Sequence, residues 1–108
     1  MSVVVYIESQ KGVVKKAGLE IASFGRAIAD ASQDSLVAVT FNLEDTSTLK
    51  LYGVDKVYNV NTEEDKFFNV ERYANSILNI VLKESAKIIL VSASADGRYL
   101  GPILAVKS

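Results

Sequence analysis

The 108-residue sequence contains no cysteine and no histidine. Without cysteine there are no disulfides, no thiol nucleophile and none of the usual zinc sites; without histidine every His-based catalytic arrangement is excluded. Acid–base chemistry would fall to Asp, Glu, Lys or Tyr. The lack of cysteine fits a cytoplasmic protein. No apolar run approaches the ~20 residues needed to span a bilayer. The start, MSVVVYIE, has no basic n-region and no small-residue cleavage site, so it does not read as a signal peptide. Nor is there an excess of charge. Twelve basic residues face thirteen acidic ones, for a net charge of −1, which removes the bulk electrostatic case for nucleic acid or an anionic membrane.

What remains is an ordinary folded domain. Hydrophobic residues make up 49% and charged residues 23% of the chain, which argues against disorder, and the length corresponds to one domain spanning residues 1–108. Residues 2–8 (SVVVYIE) form a nearly continuous β-branched and aromatic run, the pattern of a strand covered on both faces. Residues 14–32 are helical in pattern, with Ala17, Ile21, Phe24, Ile28 and Ala31 as the stripe expected to face the core. Gly18, Ala22, Gly25 and Ala29 form a neighbouring stripe of small residues that lets the helix lie close to a sheet. Residues 36–41 read as a second buried strand. Thr46 or Ser47 is placed to cap a short helix over 48–52, and Gly53 to stop it. Residues 54–60 read as a third strand whose Asp55 and Lys56 suit a sheet edge. Residues 70–84 give the clearest helix: Val70, Tyr73, Ala74, Ile77, Leu78, Val81 and Leu82 keep the 3.6-residue period without a miss. Residues 88–92 read as a fourth, buried-type strand and 98–106 as a last short helix. This β-α alternation predicts an α/β fold: an open, mostly parallel sheet of about four strands with helices on both faces.

In such a sheet the default site lies beyond the strand C-termini, where strand order reverses. With the first strand central, the loops in question are 8–12 and 92–97. The second opens the corner KIILVSASADGRYLGPILA (87–105). It contains no phosphate-loop pattern: Gly101 is followed by Pro102 rather than by Lys and Ser/Thr, and no spaced glycine triplet follows the first strand. The candidates for cofactor contact, none carried by a motif, are Ser94, Asp96, Gly97 and Arg98. Asp96 also suits a helix cap. Glu8 at the end of the first strand has the chemistry of a base but no partner in view, and a solvated carboxylate is the expectation there. Glu63-Glu64-Asp65 reads as a solvated acidic turn. Of the aromatics Tyr52, Tyr58, Phe67, Phe68 and Tyr73, the last falls in the helical core stripe and reads as packing, while Phe67-Phe68 sits in a polar loop and can clamp it or meet a partner. No catalytic or metal-binding constellation assembles.

Several segments taken together resemble the amino-terminal region of the electron transfer flavoprotein alpha subunit. They are Tyr6-Ile7-Glu8, Lys15-Lys16, Leu19-Glu20, Gly25-Arg26-Ala27-Ile28-Ala29, Tyr52-Gly53-Val54-Asp55-Lys56-Val57-Tyr58, Tyr73-Ala74, and the closing strand with Gly97-Arg98-Tyr99-Leu100-Gly101-Pro102. The chain departs from the family pattern at Tyr99, Gly101 and Ile103, where Asp, Ala and Arg are usual. The resemblance implies a Rossmann-like, adenine-nucleotide-hydrolase-like fold and a domain that is an incomplete amino-terminal portion lacking a carboxy-terminal FAD domain. It implies a non-enzymatic scaffold in a heterodimer, packing with a beta-type subunit and supporting a flavin domain that takes electrons from acyl-CoA or other dehydrogenases. FAD would belong to the full-length protein and not to this chain alone. The alternative on the same fold is a universal-stress-type module binding ATP or AMP through the loops after the first and fourth strands.

Overall fold

The computed structural model describes residues 2–10, 12–61 and 70–91. In chain order the elements are β1 (Ser2–Tyr6), β2 (Ser9–Gln10), β3 (Val13–Val14), α1 (Lys16–Ser32), β4 (Ser35–Phe41), α2 (Ser47–Leu51), β5 (Lys56–Val60), α3 (Val70–Lys83) and β6 (Ala86–Leu90). Four strands form one parallel sheet in the order β5-β4-β1-β6. The sequence-based fold holds: β1 is central, and strand order reverses between β1 and β6. The acidic segment 63–65, Phe67-Phe68, the loop candidates Ser94, Asp96, Gly97 and Arg98, and the last predicted helix all lie outside the described residues.

The burial of β1 follows from its sequence. Every residue from Ser2 to Glu8 is buried. Because side chains alternate along a strand, Val3, Val5 and Ile7 enter one core with Ala22, Ala29, Leu36, Ala38 and Leu49, the layer of α1 and α2. Val4 and Tyr6 enter the other with Val37, Val39, Phe41, Tyr73 and Ile77, the layer of α3. In that second core Phe41 and Tyr73 stack with centroids 3.7 Å apart and planes 7° from parallel, and Tyr6 meets the Tyr73 ring edge-on at 6.4 Å. Such pairs add about 0.5–1.5 kcal/mol beyond the area they bury. Tyr73 is therefore packing, as its place in the α3 stripe predicts.

α1 corrects the reading of its own pattern. The face against the sheet is the small-residue stripe Gly18, Ala22, Gly25 and Ala29, not the stripe of larger residues. Phe24 is 59% exposed, and Ile21 and Ile28 flank the core half-buried. The cause is distance. A Cβ on Gly25 would lie 2.7 Å from Val5 Cγ1 and 2.9 Å from Leu36 Cδ1, so the backbone itself occupies the space a side chain would need. α1 also begins at Lys16 rather than at 14, because Val13 and Val14 pair with Gln10 and Ser9 in a small antiparallel hairpin.

At the opposite sheet edges the strands differ. β5 carries Lys56 at the edge, as its charges suggest. β6 is an edge strand too among the described residues, and Ile88, Ile89 and Leu90 are only half-buried. Ile89 packs against one core and Ile88 and Leu90 against the other, so the strand is covered on both faces, less completely than β1.

Candidate functional site

This fold positions a ligand where strand order reverses, between the C-terminal ends of β1 and β6; the loop after β6 lies outside the described residues, and on the β1 side the chain covers the strand end with its own residues. The backbone continues pairing past β1, with Ile7 N–H donating to Val39 O at 2.9 Å. Glu8 follows with no solvent exposure. The sequence expectation of a solvated carboxylate is thus corrected. Glu8 is enclosed because the hairpin of β2 and β3 folds back over it: Lys15 N–H donates to Glu8 O at 3.0 Å, and Lys15 Nζ lies 3.5 Å from Glu8 Oε2. The first turn of α1 presses on the same point. A Cβ on Gly18 would lie 2.9 Å from Ile7 Cγ2 and 3.1 Å from Glu8 O. A buried carboxylate is costly unless a positive charge answers it. Lys15 supplies one here.

The hairpin is held from both sides. Ser9 Oγ donates to Phe41 O at 3.3 Å, at the end of β4. Gly12, with φ of +79°, brings its carbonyl to the Glu44 N–H at 3.1 Å, and a Cβ there would collide with Glu44 Cγ at 2.6 Å. Glycine is needed at this tip for its conformation and for the close approach.

Beyond β4, Asn59 of β5 organises the next loop. Its Oδ1 accepts from Thr40 Oγ1 at 2.9 Å and from Leu43 N–H at 3.0 Å, and its Nδ2 donates to Leu43 O at 2.8 Å. The start of α2 is capped by Asp45, whose Oδ1 accepts the Ser47 N–H at 2.9 Å; neither Thr46 nor Ser47 supplies the cap that their sequence positions suggest. That bond holds the Asp45 carboxyl below its ordinary pKa.

Two ionic clusters lie away from the strand ends. Asp55 Oδ2 accepts from Leu36 N–H and from Arg26 Nη1, both at 2.8 Å. Its pKa is lowered by the Leu36 N–H first and by Arg26 after it. Glu84 accepts from Tyr58 Oη and, at 2.8 Å, from Lys56 Nζ, and the ammonium of Lys83 sits 5.5 Å from the Tyr58 ring. The Lys56 bond, then the Tyr58 bond, lower the Glu84 pKa. Tyr58 and Tyr73 are therefore engaged separately, one with Glu84 and the other with Phe41 and Tyr6. No group of three or more potential metal-binding side chains occurs among the described residues, and no helix among them is long and apolar enough to cross a membrane.

Residues 3–108 match the family model of the electron transfer flavoprotein domain. The chain belongs to the electron transfer flavoprotein family. Relatives include the acryloyl-CoA reductase electron transfer subunit beta of Anaerotignum propionicum, 32% identical over 95% of this chain and 29% of that protein. The electron transfer flavoprotein subunit alpha of Clostridium acetobutylicum is 32% identical over 95% of this chain and 32% of its own length. This electron transfer flavoprotein chain thus spans about 30% of the length of the curated relatives it matches. A universal stress protein from Archaeoglobus fulgidus superimposes with a TM-score of 0.61 at 9% identity, covering 94% of this chain and 91% of that one. At that identity the likeness shows the α/β fold alone.

The enclosure of Glu8 is the site feature that sequence reasoning missed. Its signal was faint: an acid within a wholly apolar strand, followed seven residues on by lysine, with Gly12 between them as a turn.

Proposed function

We propose that this chain is the amino-terminal α/β portion of an alpha-type electron transfer flavoprotein subunit, and that it acts as a scaffold rather than as a redox or catalytic unit. In this reading it packs with a beta-type subunit in a heterodimer in the cytoplasm and supports a flavin domain that accepts electrons from acyl-CoA or other dehydrogenases. FAD is held by the carboxy-terminal domain of the full-length subunit. The flavin supplies the electron chemistry, and this chain contributes position.

The observation that supports this reading is the enclosed C-terminal end of β1. A dinucleotide or nucleotide needs free backbone N–H groups and small residues at that point for its phosphates. Here a fully buried carboxylate stands at the end of β1, and its lysine neighbour is turned toward it. Lys15 is turned to Glu8 and the hairpin covers the strand end, so the described residues after β1 do not form a phosphate cradle. They fit a preformed surface on which another domain rests.

The universal-stress-type reading draws on the shared fold, and the same enclosed Glu8 weighs against it. A thermal-shift titration separates the two. The scaffold reading expects no stabilisation by micromolar ATP, AMP or FAD. It expects co-purification with a beta-type subunit, with flavin absorbance appearing once the carboxy-terminal domain is supplied. Saturable stabilisation by ATP or AMP, which raises the melting temperature through linkage, would replace the scaffold reading with the nucleotide module.

A further inference from the structure

β6 joins β1 through an irregular register. Ser2 pairs with Ala86, but Val3 pairs with Ile88, Val4 with Ile89 and Val5 with Leu90. β6 advances two residues where β1 advances one, so Lys87 is the extra residue of a β-bulge. Bulges are rare between parallel strands, and they re-aim a side chain. Here the re-aimed side chain is that of Lys87, whose Nζ reaches Asp34 Oδ2 at 2.5 Å in the turn between α1 and β4. The same carboxylate oxygen accepts from Ser32 Oγ at 2.6 Å. Downstream of the bulge the faces follow from the register. Ile88 and Leu90 pack with the core of Val3 and Val5, and Ile89 and Val91 with the core of Val4 and Tyr6. Leu90 thus lies under α1, with its Cδ1 3.5 Å from the place a Gly25 Cβ would take.

The apolar pattern does not choose this register. A one-residue slip normally carries a strand's apolar side chains out to solvent, but here both faces of the sheet are core and Ile88, Ile89, Leu90 and Val91 are apolar at both parities. Continued from Ser2 and Ala86 without a bulge, the strands would pair Val3 with Lys87, Val4 with Ile88 and Val5 with Ile89. Ile89 would then face α1, and Ile88 and Leu90 would face α3. The apolar residues are served by either arrangement. Lys87 is not. In the flush register its side chain would start into the core of Val3, Ala22 and Leu36, all without solvent exposure, where an unpaired ammonium is strongly disfavoured. We propose that Lys87 is the register selector of β6: its charge excludes the flush pairing, and Asp34 holds it in the bulge. The two registers differ by one residue, about 3.3 Å, in how far β6 reaches beside β1. Strand order reverses between these two strands, so the selector also sets the height of one side of the strand-end crevice. The inference does not depend on the proposed flavoprotein role.

Nuclear Overhauser contacts between β1 and β6 in the 108-residue protein test this. The unmodified chain is expected to give one set, Val3 with Ile88 and Val4 with Ile89. Lys87→Leu removes the charge that bars the flush register. A second set, Val4 with Ile88 and Val5 with Ile89, should then appear in about 10% or more of the molecules. Lys87→Arg keeps the charge and should keep the single set. The flush set in the unmodified chain overturns the proposal. So does a Lys87→Leu chain that shows the bulged set alone, since something other than Lys87 would then choose the register, and so does a second set in Lys87→Arg. A Lys87→Leu chain that circular dichroism shows to be unfolded overturns it as well, because the proposal gives both registers a complete apolar core.

Discussion

Arg26 Nη1 donates to Asp55 Oδ2 at 2.8 Å, and this bond fastens the outer helix layer to the segment that opens the edge strand. The same arginine donates to Gly53 O at 2.8 Å and to Asp34 O at 3.3 Å, while the same carboxylate oxygen accepts the Leu36 N–H. One side chain from α1 and one from just before β5 thus tie the turn between α1 and β4 to the turn between α2 and β5. Asp55→Ala leaves the Leu36 N–H and the guanidinium short of an acceptor. A loss of about 1–2 kcal/mol in urea unfolding is expected, at the lower end for charge-assisted bonds because half of the Asp55 side chain is exposed.

The same carboxylate sets a pH dependence. The Leu36 N–H, and Arg26 after it, hold the folded Asp55 pKa below its ordinary value of 3.8, and Lys56 and Tyr58 do the same for Glu84. A depressed folded pKa means the unfolded chain takes up protons first. The stabilisation is therefore complete above the ordinary carboxylate range and is lost as pH falls through the folded values. Urea midpoints measured from pH 7 downward should hold steady and then drop below about pH 4. In the double variant Asp55→Asn, Glu84→Gln the drop should be shallower.

Gly25 offers a test in which two effects oppose each other. Alanine in a helix interior is favoured over glycine by about 1 kcal/mol. Here the new methyl would meet Val5 Cγ1 and Leu36 Cδ1 well inside contact distance, and overpacking a tight interface costs about 1–3 kcal/mol. Packing should win: Gly25→Ala lowers the urea midpoint. A rise would mean that α1 can lift from the sheet at little cost.

Lys15→Ala removes a cation that faces a wholly buried acid. The contact is long, at 3.5 Å, and Lys15 is 36% exposed, so the loss should fall near 1–3 kcal/mol rather than at the top of the range for buried pairs. Adding Glu8→Gln to Lys15→Ala should recover part of it, because the charge that needed an answer is gone. A double-mutant cycle on melting curves reads this coupling directly.

Tyr58→Phe keeps the ring beneath Lys56 and Lys83 and deletes only its hydroxyl bond to Glu84. A loss near 1 kcal/mol is expected. Faster hydrogen exchange at the β5 amides, with β1 amides unaffected, would place the effect at the edge.

The parts of this structure legible in the sequence are those written in local patterns. The continuous apolar run of β1, the unbroken period of α3 and the charged start of β5 each identify an element and its exposure without reference to the rest of the chain. What escaped depends on distant residues. The α1 stripe was misread because periodicity rewards large apolar residues, whereas close approach to Val5 and Leu36 selects Gly25. The hairpin of β2 and β3 is too short to carry a pattern, and it is held by Glu44 and Phe41, some thirty residues further along. Glu8 looked solvated because Gly12 and Lys15 are only a faint local sign that the chain returns to cover it. β6 resembles β1 in composition, and its side chains do pack against both cores, though each is only half-buried.

The position of β1 at the centre of the sheet has a consequence for how the protein comes to be. Its partners are β4 and β6, so the first strand made must wait for the last described one before both its edges are satisfied. Parallel, non-local pairings of this kind form slowly, since each closes a long loop before any contact rewards it. β1, α1 and β4 can assemble early as one right-handed unit. Until β6 arrives, the most apolar strand of the chain keeps one side open. Chaperone dependence and losses to aggregation during refolding should therefore track β6: a substitution that weakens its pairing slows folding out of proportion to its cost in stability.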